Sequence, residues 1–129
     1  MTSARAHEIF REERALFQRR FPWVADVRLF LRRRHIEPNP SRRDLGWWNP
    51  ADRTVNLLRS GLTRSEGQIR GILRHELGHA ADRSDAPGHE RRADDLAHKA
   101  TGQPIRYTRR ESLQHVTHGK PGRPRWLHQ

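Results

Sequence analysis

At 129 residues the chain has the length of one domain, and with 33% hydrophobic against 32% charged residues its core must be small. No apolar run reaches the ~18 residues of a transmembrane helix, so no membrane partner is expected. The absence of Cys excludes disulfides and thiolate metal sites, so any zinc must be held by His and carboxylate ligands.

The formal net charge is +11, and Lys99 and Lys120 are the only lysines among 26 basic residues. A GC-rich genome accounts for Arg over Lys but not for the excess of positive charge. That excess suits either a solvated surface or a partner bearing phosphate or acidic groups. The N-terminus, Thr2 to Glu8, has no apolar signal core, and a cytoplasmic protein is expected.

Residues 3–20 read as an amphipathic helix capped by Ser3, with Ala6, Ile9, Phe10, Glu13, Leu16 and Phe17 at spacings of three and four. Phe21-Pro22-Trp23 ends it, because proline lacks an amide donor and restrains its predecessor. Val27 to Leu31 alternates as a short strand, and Arg32-Arg33-Arg34 follows as a solvated strand end or, in the alternative, a phosphate contact. After a loop carrying Pro38, Asn39 and Pro40, the segments Leu45–Trp48 and Thr54–Leu58 flank Asn49-Pro50-Ala51-Asp52-Arg53, whose turn chemistry predicts a β-hairpin.

Thr63-Arg64-Ser65-Glu66 fits a capping box with Thr63 as N-cap and Glu66 reaching back. The helix it opens carries Ile69, Ile72 and Leu73 up to His75-Glu76-Leu77-Gly78-His79. Positions four apart on an α-helix are about 400° and ~6 Å apart, so both imidazoles share a face and can converge on one Zn²⁺, with Glu76 toward the open side. Asp82 to Gly88 has the composition of a reversing loop. Helical spacing returns over Glu90 to Lys99 through Ala93, Leu96, Ala97 and Ala100, with Gly102 placed as a C-terminal cap. A short strand Ile105–Tyr107 and a helical turn over Glu111 to Val116 are expected beyond it. One domain over residues 1–118 and a basic Pro/Gly-rich tail over 119–129 complete the reading.

Two histidines need a third protein ligand, for which Asp85, His89 and Glu90 are within reach. Asp85 falls where the metzincin pattern has its third ligand, but that pattern needs Gly where Asp82 stands and a Met-turn, and the only methionine is Met1. Glu90 and Asp94 lie one turn apart, so Glu90 can bind metal while Asp94 accepts a hydrogen bond from a ligand histidine.

His-Glu-Leu-Gly-His followed by a helix opening Glu-Arg-Arg-Ala-Asp resembles the gluzincin group of zinc metallopeptidases. Thermolysin is its familiar large member, and the compact minigluzincins and ImmA/IrrE-type phage-associated peptidases are more similar in size. The resemblance covers about residues 45–102. It implies an α+β, zincin-like single domain, a sheet of about three strands packed on the His-bearing helix and the following carboxylate helix. It implies zinc on His75, His79 and Glu90, Glu76 as general base and Asp94 behind a ligand histidine. The short segment between His79 and Glu90 leaves His89 as an alternative third ligand, as in SprT-type proteases that act on DNA.

The expected chemistry is hydrolysis of a protein or peptide substrate. Tyr107, then His115 and His118, are the candidates for stabilising the oxyanion. Strand Thr54–Leu58 is the candidate for pairing with an extended peptide. The competing class is a nucleic-acid-associated protein using Arg32–Arg34, Arg106, Arg109, Arg110, Arg123 and Arg125, interleaved with Tyr107 and Trp126. Sequence does not distinguish oligomeric states.

Overall fold

A computed structural model describes residues 1–34, 44–84 and 88–103. The expected strand Ile105–Tyr107, the turn Glu111–Val116 and the tail 119–129 lie outside the described residues, as do Asp85, Tyr107, His115 and His118. Helices α1 (Ser3–Arg20), α2 (Glu66–Ala81) and α3 (His89–Thr101) combine with strands β1 (Arg28–Arg32), β2 (Gly46–Asn49) and β3 (Thr54–Leu58) in an α+β fold.

Helix α1 covers the expected residues, but its N-cap is Thr2, whose side chain accepts from the Arg5 amide at 3.1 Å, rather than Ser3. Ala6, Ile9, Phe10 and Phe17 are buried as the periodicity requires. Glu13 sits in the same stripe and is buried as well, because α2 brings two guanidinium groups to it. Arg70 Nη1 donates to Glu13 Oε1 at 2.8 Å, and Arg74 donates through Nε and Nη2 at 2.7 and 3.0 Å. The stripe is therefore apolar packing interrupted by an ion-pair clamp between α1 and α2.

After α1 the chain makes a 3₁₀ turn at Pro22–Val24 and enters β1. The sheet order is β1-β3-β2, with β1 parallel and β2 antiparallel to β3. The expected β2–β3 hairpin is present. Its second strand, however, lies between two partners, and this corrects the assignment of Thr54–Leu58 as a peptide-pairing strand. A central strand has no unpaired backbone row to offer. On one sheet face Leu29, Val55 and Leu57 pack with Ile69, Ile72, Leu73 and Leu77 of α2 and with Ile9 and Phe17 of α1. Each fully buried aliphatic side chain of α2 contributes about 2 kcal/mol.

The start of α2 also differs from expectation. Ser65 is the N-cap, and the reciprocal bonds run from the Gln68 amide to Ser65 Oγ (3.2 Å) and from the Ser65 amide to Gln68 Oε1 (3.0 Å). Thr63 belongs to the preceding 3₁₀ turn Arg59–Thr63, and its hydroxyl donates to the Ser60 carbonyl. Glu66 instead accepts from Arg5, tying the start of α2 to α1. Helix α3 begins after Gly88 (φ +93°) and ends at Gly102 (φ +73°), the left-handed cap position read from the sequence. Among the described residues no helix is long and apolar enough to cross a membrane.

Candidate metal centre

The face of α2 opposite its clamp to Glu13 presents His75 and His79 one turn apart. Their rings meet edge to face with centroids 4.7 Å apart, and the two Nε2 atoms stand 3.2 Å from each other. Helix α3 supplies the carboxylate. Glu90 Oε2 lies 3.0 Å from His75 Nε2, and Oε1 lies 2.8 Å from His79 Nε2. One turn further along α3, Asp94 Oδ1 accepts from His75 Nδ1–H at 2.8 Å. That bond turns the ring so that Nε2 faces His79 and Glu90, and it would leave the Nε2 lone pair for a metal once the Nε2 proton is displaced.

Two nitrogens and a carboxylate with all ligand atoms inside 4.8 Å form a donor set that fits zinc. Ligand atoms on a tetrahedral zinc stand about 3.3 Å apart for bonds of ~2.0–2.1 Å. The two Nε2 atoms stand 3.2 Å apart, close to that spacing, and each has a different oxygen of Glu90 beside it. Charge points the same way. Glu90 and Asp94 act on both imidazoles, and their two negative charges are what a dication would balance.

The protonation pattern reflects those charges. Burial opposes a charge on His75, yet Asp94 and Glu90 outweigh it and hold its imidazole well above the ordinary value. For His79 burial prevails, aided by the positive charge of His75, and its affinity for a proton falls. Burial also works against Glu90, but the hydrogen bonds from His75 and His79 hold its carboxyl well below the usual range. Without a metal, the positive charge favoured on His75 is what faces the Glu90 carboxylate.

Glu76 is buried on α2 beside the start of β2. A Cβ added at Gly46 would lie 3.6 Å from Glu76 Cγ and 2.7 Å from Ile72 Cγ2, so only glycine lets β2 approach α2 this closely. Burial pushes the Glu76 carboxyl up to about 8, with Glu90, Asp44 and Asp94 adding to the effect against the opposing charge of His75.

The structure brings His75, His79, Glu90 and Asp94 together. His89 is not part of that group. It stands exposed at the first turn of α3, with Nδ1 3.0 Å from Arg92 Nη2 and 3.5 Å from Asp82 Oδ2. Three contributors escaped the sequence reading: Asp44, buried near Glu76, and the glycines Gly46 and Gly78. Gly78 had a legible signal, since a glycine inside a helix costs stability unless something approaches it. Comparison with protein-family models, curated proteins and solved structures finds no match for this chain.

Proposed function

We propose that the protein is a zinc-dependent metallopeptidase of gluzincin type. The observation that carries this reading is the convergence of His75 Nε2, His79 Nε2 and the Glu90 carboxylate, backed by Asp94 on His75 Nδ1. When bound, zinc supplies a Lewis acid that polarises a carbonyl and acidifies water. His75, His79 and Glu90 would hold it, leaving a position for substrate or water.

Glu76 is the general base in this proposal. Burial raises the Glu76 carboxyl in the metal-free chain, and a bound dication would draw it back toward the carboxylate that takes a proton from water and returns it to a leaving amine. Strand addition, if it positions the peptide, belongs to an edge of the sheet. Strand β2 is the edge that adjoins Glu76, and among the described residues no strand pairs with its outer side.

One observation favours a second reading, association with nucleic acid. Arg28, Phe30 and Arg32 share the exposed face of edge strand β1, with guanidinium carbons 5.3 and 4.7 Å from the Phe30 ring centre. Arg33 and Arg34 follow, exposed. Phosphate contacts from this patch would make affinity fall steeply with salt.

The test of the first reading pairs zinc stoichiometry with cleavage of an unfolded protein substrate. One zinc per chain and hydrolysis that stops on chelation are expected. A chain that binds no zinc at micromolar metal overturns the proposal. Salt-independent binding, or none, to oligonucleotides removes the second.

A further inference from the structure

A cavity of about 540 Å³ opens beside His79, between the 3₁₀ turn after α1, the β2–β3 hairpin and the C-terminal end of α2. Its size falls within the ~300–1,000 Å³ typical of small-molecule sites. Two indoles line it. Trp23 is held by its Nε1–H, which donates to the Ala81 carbonyl at 3.1 Å, and by packing on Phe21. Trp48 comes from β2 and is half-buried.

Two Asp and two Arg line this space, and their pairing leaves one Arg aside because Asp82 pairs with a residue outside the lining. Arg53 donates to both oxygens of Asp26 through Nε at 3.1 and 2.9 Å, so that pair is neutral. Asp82 accepts from Arg92 at 3.0 Å. Arg83 stacks on Trp23 with its guanidinium carbon 3.9 Å from the ring centre, and it makes no ion pair among the described residues. Aromatic walls, one unneutralised guanidinium and an adjoining ligand histidine make a recognisable chemical request. Arginine pairs with carboxylates in planar geometry, and indoles favour aromatic partners in offset or edge-on contact.

Resting on the peptidase reading, the geometry points to this cavity as the subsite that selects substrate: it takes an aromatic residue against Trp23 and Trp48, with an adjacent carboxylate on Arg83. That carboxylate is either the C-terminus of the peptide or an acidic side chain next to the aromatic residue.

The test is a binding titration on the metal-free full-length chain, read by NMR from the indole N–H signals. The probes are N-acetyl-phenylalanine, its amide, N-acetyl-alanine and N-acetyl-phenylalanyl-glutamate with a blocked terminus. N-acetyl-phenylalanine should shift the Trp23 and Trp48 signals and bind at least fivefold more tightly than its amide. N-acetyl-alanine should leave both signals in place. Arg83→Gln should erase the preference for acid over amide, while Arg19→Gln, on the exposed side of α1, should keep it. Binding by the glutamate peptide assigns the carboxylate to a side chain; binding by the free acid alone assigns it to a C-terminus. Equal binding of acid and amide, or of alanine and phenylalanine probes, overturns the inference. The two readings separate in a cleavage assay. A zinc-loaded protein that cuts peptides without favouring aromatic residues overturns the subsite and leaves the peptidase. Aromatic acid binding in a protein that cleaves nothing keeps the site and overturns the peptidase.

Discussion

Gly78 lies directly under the backbone of Ala93: a Cβ placed on it would stand 2.1 Å from the Ala93 carbonyl oxygen. This contact sets how closely α2 and α3 approach, and the approach is what lets Glu90 and Asp94 reach histidines on the neighbouring helix. Ala93 is itself fully buried, so a small residue faces a small residue across the helix pair. Gly78→Ala should push α3 away and cost more than the ~1–3 kcal/mol of ordinary overpacking, because the obstacle is backbone. Loss of zinc binding with a lowered melting temperature is the expected result. A variant that binds zinc normally would show that the helix spacing is not what assembles the site.

In the proposed zinc site Asp94 would act through its hydrogen bond to His75. Its carboxylate is partly exposed, so removing it should leave the fold intact while freeing the imidazole to rotate and change tautomer. Asp94→Ala should weaken zinc affinity about 10–100-fold without a large change in the metal-free melting temperature. Asp94→Asn, which can still accept from Nδ1–H through its carbonyl oxygen, should recover part of the loss. Competition against a chromophoric chelator measures both, and equal affinities across the three proteins would remove Asp94 from the site.

The cap of α2 separates two patterns that overlap in sequence. Thr63-x-x-Glu66 and Ser65-x-x-Gln68 both fit the capping-box spacing, and the 3₁₀ turn Arg59–Thr63 decides between them by occupying Thr63. Ser65→Ala should destabilise the protein by about 1 kcal/mol and Thr63→Ala by a few tenths. Chemical denaturation resolves that difference, and the reverse order would restore the Thr63 cap.

That case shows what was legible and what was not. Local signals carried far: the α1 periodicity, the turn at Asn49–Arg53, the cap at Gly102, and the turn-spaced pairs His75/His79 and Glu90/Asp94 all appear where their spacing placed them. Long-range choices did not carry. Nothing local says that β1 inserts parallel to β3 and leaves β2 as the edge beside Glu76, because strand order depends on which faces are buried together. Glu13 fitted the apolar stripe by position, yet its burial depends on Arg70 and Arg74, some sixty residues away. Sequence could not say whether Glu90 or His89 faces the histidines, because adjacent helix positions differ by about 100° and only the packing of α3 on α2 turns Glu90 toward them.

Glu76 yields a pH prediction for the metal-free protein. Its carboxyl titrates near 8 in the folded state, against 4.5 for an ordinary glutamate, because burial disfavours the charge. Between those values the folded chain keeps a proton that the unfolded chain has given up. Its contribution to stability is therefore complete below about pH 4.5 and is lost progressively as pH rises toward 8. Glutamine is neutral throughout and loses nothing over that window. In the presence of chelator, Glu76→Gln should match the unaltered protein near pH 4.5 and exceed it by roughly 3–5 kcal/mol at pH 8. Zinc should narrow the gap, since a dication beside Glu76 favours the carboxylate. The same substitution should abolish hydrolysis while keeping zinc, so one variant links the stored proton to the proposed base. Thermal melts at pH 4.5, 6 and 8, with and without zinc, measure the first part, and parallel curves for the two proteins would show that Glu76 is not held neutral by its burial.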